Sequence, residues 1–89
     1  MEENCRKFIK QLLDSESKWK NGMSETLTFK EKTYTISRER LNPPSKKYVL
    51  STETYDKKYS TLSLLLLDIV NENSEHKQYE SIEDYINET

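Results

Sequence analysis

Residues 59–70 form the one strongly apolar run in a very polar chain, and they read Tyr-Ser-Thr-Leu-Ser-Leu-Leu-Leu-Leu-Asp-Ile-Val. At about 100° per residue, the large side chains of this run and Tyr55 share one broad helical face, with Leu64 and Leu67 outside it. A helix that is apolar on more than one side is normally covered on more than one side. We therefore expect a central helix over about 55–72, packed between a sheet and another helix or a partner.

The length of the chain limits how much core it can build. With 89 residues it is the size of one small domain, so we expect a single domain over 1–89. Leu, Ile, Val and Phe total 19 residues, close to the roughly 20% below which disorder is favoured. Because these residues are patterned rather than scattered, we expect one thin core, with any functional site on the surface.

The chain has one cysteine, no apolar leader at its N-terminus, and no apolar run that approaches a membrane span. One cysteine cannot form an intrachain disulfide, which is usual in a reducing cytosol. We therefore expect a cytoplasmic protein that makes no membrane contact.

Residues 2–20 have apolar side chains spaced as on one face of a helix, and the chain's single glycine, Gly22, follows them as a stop signal. A shorter helix that ends near Asp14, followed by a loop to Gly22, is the alternative. Residues 23–29 and 33–38 alternate with period two and predict a hairpin.

A loop with two successive prolines follows the hairpin, and residues 46–51 then predict a third strand. Ser51, Thr52 or Asp56 is the expected cap of the central helix. Near the C-terminus, Ser81 and Asp84 form a capping-box pattern ahead of a short last helix.

The predicted fold is α+β with the order αβββαα. A three-stranded antiparallel sheet packs against the central helix, with an N-terminal helix and a short C-terminal helix. The C-terminal helix is the expected cover of Leu64 and Leu67.

Residues that carry out catalysis or bind metals are scarce. The single histidine, His76, and the single cysteine, Cys5, lie at opposite ends of the chain, and Cys5 lies on the apolar face of the first helix. One cysteine and one histidine do not make a zinc site, and one glycine cannot supply a phosphate-binding loop. We therefore expect no enzyme, no catalytic residue, no metal and no cofactor. A Cys5–His76 pair brought together by folding is the remaining catalytic alternative.

Basic residues come in couplets at expected strand ends, turns and the start of the central helix. Together they form a candidate phosphate-binding rim. Lysines also protect sheet edges from association, so an ordinary solvated surface explains the same pattern. The residues are Lys30, Lys32, Arg38, Arg40, Lys46, Lys47, Lys57 and Lys58.

Carboxylates dominate the C-terminal part of the chain. Residues 64–89 carry 7 Asp and Glu against 1 Lys, whereas residues 1–63 carry 9 Asp and Glu against 13 Lys and Arg. Carboxylates spaced along helices can imitate phosphates and occupy a protein's nucleic-acid groove, and a solvated helix face is the alternative. The candidate partner-binding residues are Asp68, Glu72, Glu75, Glu80, Glu83 and Asp84.

The predicted order, the small size and the acidic end resemble small phage-encoded anti-CRISPR proteins, which inhibit an RNA-guided nuclease. The local likeness lies in residues 47–51, a strand that ends in serine, and in residues 78–85, an acidic stretch with two tyrosines. The resemblance implies a non-enzymatic nucleic-acid mimic that acts in the cytoplasm of a bacterial host. It also implies that acidic residues contact a protein partner, namely Asp68, Glu72, Glu80, Glu83 and Asp84.

Two alternatives remain open. The order αβββα and the pair Lys57 and Lys58 are similar to the double-stranded RNA-binding domain, which implies a nucleic-acid-binding module. The second alternative is a self-associating structural protein, in which Leu64 and Leu67 form the seam of a homodimer.

Overall fold

The computed structural model describes residues 2–29, 31–40, 46–74 and 77–88. Its three helices and four strands give an α+β fold, and a single 3-10 turn, Glu16–Lys18, follows the first helix. In chain order the elements are α1 (Glu2–Asp14), β1 (Ser24–Phe29), β2 (Lys32–Arg38), β3 (Tyr48–Ser51), β4 (Asp56–Tyr59), α2 (Leu62–Glu72) and α3 (Ile82–Asn87).

The four strands form one antiparallel sheet in the order β1-β2-β3-β4, so each strand pairs with the next along the chain. The expected three-stranded sheet is therefore wrong. Strand β4 occupies the part of the chain that the sequence assigned to the first turns of the central helix. Tyr59 of β4 pairs with Tyr48 of β3, and Asp56 pairs with Ser51.

A threonine turn explains why the chain forms β4 instead of continuing into a helix. The backbone N–H of Thr52 donates to the carbonyl of Tyr55 at 2.9 Å. The hydroxyl of Thr52 accepts from the N–H groups of Thr54 at 3.2 Å and Tyr55 at 3.1 Å. Such side-chain bonds to nearby backbone compete with helix formation, and here they return the chain along β3.

The central helix α2 therefore begins at Leu62, seven residues later than expected. Its cap is Thr61, whose side chain accepts from the N–H of Leu64 at 3.2 Å. The carboxylate of Glu16 accepts from the N–H of Leu62 at 3.1 Å. Two of the free N–H groups at this helix end are thus satisfied, and the three expected caps are wrong.

The first helix follows the shorter of the two alternatives, because α1 ends at Asp14. Trp19 then enters the core with 5% of its surface exposed. Gly22 has φ of 97°, and its N–H donates to the carbonyl of Arg38 at 2.7 Å. The chain thus needs the left-handed conformation that glycine adopts without strain, in the turn that leads into β1.

One face of the sheet packs against the helices and the other faces solvent. Alternation along the strands predicts the buried side chains correctly, and those of β1 to β3 are Leu27, Phe29, Tyr34, Ile36, Tyr48 and Leu50. The opposite face carries exposed Thr and Ser. The helices complete the core with Ile9, Leu12, Leu62, Leu65, Leu66, Ile69, Val70, Ile82 and Tyr85. Full burial of one such aliphatic side chain contributes about 1.5–3 kcal/mol.

The two leucines outside the main face of α2 have different environments. Leu67 is partly buried against the core, whereas Leu64 is 49% exposed. Helix α3 packs against both α2 and α1. The expectation that the last helix covers both leucines therefore fails for Leu64.

Candidate functional site

Two predicted site residues, Asp68 and Glu72, lie one turn apart on α2. Their carboxylates accept hydrogen bonds from the hydroxyls of tyrosines in or next to the strands. Tyr59 donates to Asp68 Oδ2 at 2.5 Å. Tyr34 donates to Glu72 Oε2 at 2.6 Å, and Tyr55 donates to the same oxygen at 3.2 Å. These bonds fix α2 to the strand ends, so both carboxylates have a structural role.

The same contacts keep the phenols protonated. Burial, followed by the hydrogen bond to Glu72, raises the pKa of Tyr34 to about 12. Burial and the bond to Asp68 raise the pKa of Tyr59 still further, and the pKa of Tyr55 is raised by burial and by the charge of Glu72. At neutral pH all three are therefore donors to carboxylates and carry no charge.

A cavity of about 340 Å³ opens beside Glu72, between the β1–β2 turn and the β3–β4 turn. Two tyrosines, three carboxylates and one lysine are among the residues that line it. We refer to it as the strand-end cavity, and those six residues are Tyr34, Tyr55, Glu31, Glu53, Glu72 and Lys32.

Three more predicted site residues lie at the start of α3, and all are exposed. Glu83 and Asp84 occupy the first turn, where Ser81 caps the helix by accepting from the N–H of Asp84 at 3.3 Å. Acidic side chains stabilise a helix N-terminus through the helix dipole. Glu80 precedes the cap. We refer to Glu80, Glu83 and Asp84 together as the α3 carboxylates.

Two described cations lie next to α3, and both have partners. Arg6 of α1 donates from Nε to the carbonyl of Tyr85 at 3.0 Å, and its guanidinium lies 4.8 Å from the centre of the Tyr85 ring. Lys77 forms an ion pair with Glu88, which also accepts from the hydroxyl of Tyr79 at 2.9 Å. The hydrogen bond from Lys77 is the main cause that lowers the pKa of Glu88. Within the described ranges, no ion pair reaches an α3 carboxylate. Glu75 lies outside the described residues.

The structure does not join all predicted acidic residues into one cluster. Asp68 and Glu72 contact tyrosines of the sheet side, as described above. The link to α3 is made by another residue of α2, Asn71, which donates to the carbonyl of Tyr79 at 3.0 Å and accepts from its N–H at 2.8 Å. Asp68 and Glu72 of α2 therefore have different neighbours from the α3 carboxylates.

The predicted basic residues are dispersed. Side chains alternate between the two faces of a strand, so Lys57 and Lys58 of β4 point to opposite faces. The ammonium of Lys57 lies 5.3 Å from the centre of the Tyr55 ring, whereas Lys58 pairs with Val49 on the solvent face. Lys32 lines the strand-end cavity.

The other described basic residues do not join Lys32, Lys57 and Lys58 into a continuous phosphate-binding rim. Arg38 is half-buried and donates to the hydroxyl of Tyr48 at 3.2 Å. Arg40 and Lys47 are exposed, Lys46 is half-buried, and Lys30 lies outside the described residues. Tyr34 and Tyr48 are each 1% exposed, so their rings are not available to stack on a base or sugar.

Sequence reasoning missed the tyrosine–carboxylate contacts and the strand-end cavity. The spacing of Asp68 and Glu72 indicates a shared helix flank, but it does not reveal which tyrosines reach them. Glu31 and Glu53 lie in turns, where acidic residues are ordinary. Thus only the tertiary structure brings these residues together.

No protein-family model, curated protein or solved structure matches this chain. Among the described residues, no group of three or more His, Cys, Asp or Glu side chains is placed to hold a metal ion. In the same part of the chain, no helix is both long enough and apolar enough to cross a membrane.

Proposed function

We propose that this chain is a non-catalytic binding protein that inhibits or masks a protein partner. In this proposal, the α3 carboxylates, extended by Asp68 of α2, cover a positively charged surface that the partner uses to bind nucleic acid. The observation that carries the proposal is the exposure of Glu80, Glu83 and Asp84 without an ion pair to any described residue.

Charge complementarity identifies the kind of partner. Lys77 is the only Lys or Arg among residues 64–89, and it forms its ion pair with Glu88. Arg6 of α1 also contacts α3, but it donates to the carbonyl of Tyr85 and forms no ion pair with an α3 carboxylate within the described residues. A surface of unpaired carboxylates attracts Lys and Arg, steers association and disfavours acidic partners. A groove that binds phosphates carries such residues. An RNA-guided nuclease, acting in the cytoplasm of a bacterial host, is the partner that the resemblance to phage inhibitors suggests.

An apolar contact accompanies the charges. Leu64 is 49% exposed and lies one helical turn before Asp68, so the two side chains are neighbours on α2. Interfaces commonly combine an apolar centre with a polar rim. We therefore include Leu64 in the proposed binding surface.

The two alternative functions have less support. Direct nucleic-acid binding needs a coherent basic surface, but Lys57 and Lys58 point to opposite faces of β4. A homodimer seam needs more than one exposed leucine, because specific interfaces bury about 1,200–2,000 Å² in total. Leu67, the other proposed seam residue, is partly buried against the core of its own chain.

A cleavage assay tests the proposal. A guide-loaded RNA-guided nuclease is incubated with the protein, target DNA is added, and the rate of cleavage is measured. We expect inhibition by the native chain. We expect a loss of inhibitory potency between about threefold and about 150-fold in the triple variant E80Q/E83Q/D84N, since three exposed charge pairs at about 0.2–1 kcal/mol each are removed.

The matched control is E25Q/E39Q/D56N, which removes three exposed carboxylates from the sheet side and should retain full potency. Circular dichroism confirms that both variants remain folded. Equal potency in the two triple variants would show that the α3 carboxylates are an ordinary solvated surface.

A further inference from the structure

We propose that the strand-end cavity binds an organic cation, an ammonium or guanidinium group carried on an aliphatic stem, with Glu72 as its charge partner. This site is separate from the α3 carboxylates and does not depend on the function proposed for them.

The carboxylate of Glu72 is held in place by the surrounding structure. Both tyrosine hydroxyls, from Tyr34 and Tyr55, donate to its Oε2 atom. Within the described residues no hydrogen bond reaches Oε1, and we assign this oxygen to the ligand. Tyr34 is itself fixed, because it is 1% exposed and its hydroxyl accepts from Asn73 Nδ2 at 2.9 Å. A carboxylate fixed in this way can meet a cation with little loss of side-chain entropy.

The charges around the cavity favour a cation. Among the described residues, three carboxylates line it, from Glu31, Glu53 and Glu72, against the ammonium of Lys32 and the ammonium of Lys57 at its edge. Glu72 forms no ion pair within the described part of the chain. An anion would be repelled, and the hydroxyl protons of both tyrosines are already donated to Glu72. An apolar ligand would bury carboxylates without compensation.

The aromatic wall adds a second attraction. The chain's own Lys57 places its ammonium 5.3 Å from the centre of the Tyr55 ring, within the range of a cation–π contact. A cation is therefore already attracted to this edge of the cavity, although Lys57 makes no ion pair with Glu72. We infer that Lys57 competes with an external cation, so its removal should strengthen binding.

The size of the cavity fits a small basic group. Its volume of about 340 Å³ lies at the lower end of the range of about 300–1,000 Å³ for ligand sites. Such a volume accommodates the end of one arginine or lysine side chain, or part of a linear polyamine. Both sources offer the same cationic group, so the experiment separates them.

The test is an NMR titration of the full chain, with amide shifts of residues around the cavity as the signal. The probes are N-acetyl-arginine amide, which represents a protein side chain, and spermidine, which represents a free polyamine. N-acetyl-glutamine amide is the neutral control. We expect saturable shifts in the millimolar range for at least one cation and none for the neutral probe. Tighter binding of spermidine assigns a free polyamine, and tighter binding of the arginine probe assigns a protein side chain.

Variants complete the design. Glu72→Gln keeps an oxygen for the tyrosine hydroxyls and should weaken cation binding by roughly tenfold. Glu25→Gln makes the same change of charge at an exposed residue of β1, outside the cavity, and should leave the affinity unchanged. Lys57→Met should strengthen binding severalfold.

Two results would overturn the inference: shifts of equal size with the neutral probe, or equal affinity in Glu72→Gln and the native chain. Failure of the nuclease assay leaves this titration unaffected, because neither probe nor variant here involves the α3 carboxylates. Each proposal can therefore be refuted without affecting the other.

Discussion

The hydroxyl of Tyr34 gives a prediction whose magnitude changes with pH. Tyr34→Phe removes this one oxygen and keeps the buried ring. In the native chain the hydroxyl donates to Glu72 at 2.6 Å and accepts from Asn73 at 2.9 Å. After the change, Glu72 still accepts from Tyr55, and Asn73 Nδ2 still donates to the carbonyl of Ile69 at 2.8 Å. No charged group is therefore left buried alone.

At neutral pH the variant should be less stable than the native chain. A hydrogen bond to a charged group contributes about 1.5–3 kcal/mol. Because Glu72 is exposed and water replaces part of the lost contact, we expect a lower free energy of unfolding by about 1–2 kcal/mol.

At alkaline pH this difference should shrink. An unfolded tyrosine ionises near pH 10, whereas the pKa of Tyr34 in the folded chain is raised to about 12. Above pH 10 the unfolded native chain loses this proton first, so the native chain loses stability as the pH rises through 10 to 12. Linkage gives a loss of about 1.4 kcal/mol from this residue at pH 11. The variant has no hydroxyl at residue 34 and is spared that loss.

Urea denaturation followed by the fluorescence of Trp19, the chain's single tryptophan, measures both proteins at pH 7 and pH 11. The other tyrosines and the lysines titrate in both proteins, so the difference between the two isolates Tyr34. We expect the stability gap to narrow by about 1.4 kcal/mol. A gap that is the same at both pH values would refute the assignment of a protonated Tyr34 bonded to Glu72.

Three further predictions concern α2. Thr61→Ala removes the cap and should lower the free energy of unfolding by about 1 kcal/mol. In a thermal melt this corresponds to a melting temperature lower by roughly 4–8 °C. An unchanged melting temperature would show that Thr61 does not cap the helix. Leu64→Ala should change stability by less than about 0.5 kcal/mol, whereas Leu66→Ala, two residues away and fully buried, should cost about 2–5 kcal/mol. Sedimentation of the native chain should show a monomer, and a concentration-dependent dimer abolished by Leu64→Ala would revive the homodimer alternative.

Several elements of the fold follow from the sequence because their signals are local. The alternation of Leu27 with Phe29, and of Tyr34 with Ile36, predicts both strands of the hairpin and their buried faces. Ser81 predicts the start of α3 through its cap. Gly22 predicts a left-handed residue, although the structure uses it to enter β1 and not to end a helix.

Strand β4 was missed because its pattern imitates a helix. Tyr55 and Tyr59 are four residues apart and continue the apolar face of α2 backward. Only Tyr59 of this strand is buried, so no alternation indicates a strand. The Thr61 cap, directly before the leucine run, was the local signal that places the helix start at Leu62.

The candidate sites depend on contacts that have no local signal. The sequence identifies Asp68 and Glu72 as neighbours on a helix, but their tyrosine partners come from strand ends that lie 9 to 38 residues away in sequence. Likewise, Glu16 caps α2 from 46 residues away. The exposure of the α3 carboxylates, by contrast, follows from the sequence, because helical spacing separates them from the apolar residues of the last helix. Their role in partner binding stays a prediction.

Fluorescence anisotropy of labelled duplex DNA tests the central claim most directly, with the duplex either free or bound to a guide-loaded nuclease. We predict that the protein leaves the anisotropy of the free duplex unchanged, even at low salt, and lowers that of the nuclease-bound duplex as the DNA is displaced. A salt-sensitive rise with the free duplex, abolished by K46E/K47E/K57E/K58E, would contradict the claim and assign the chain to direct nucleic-acid binding.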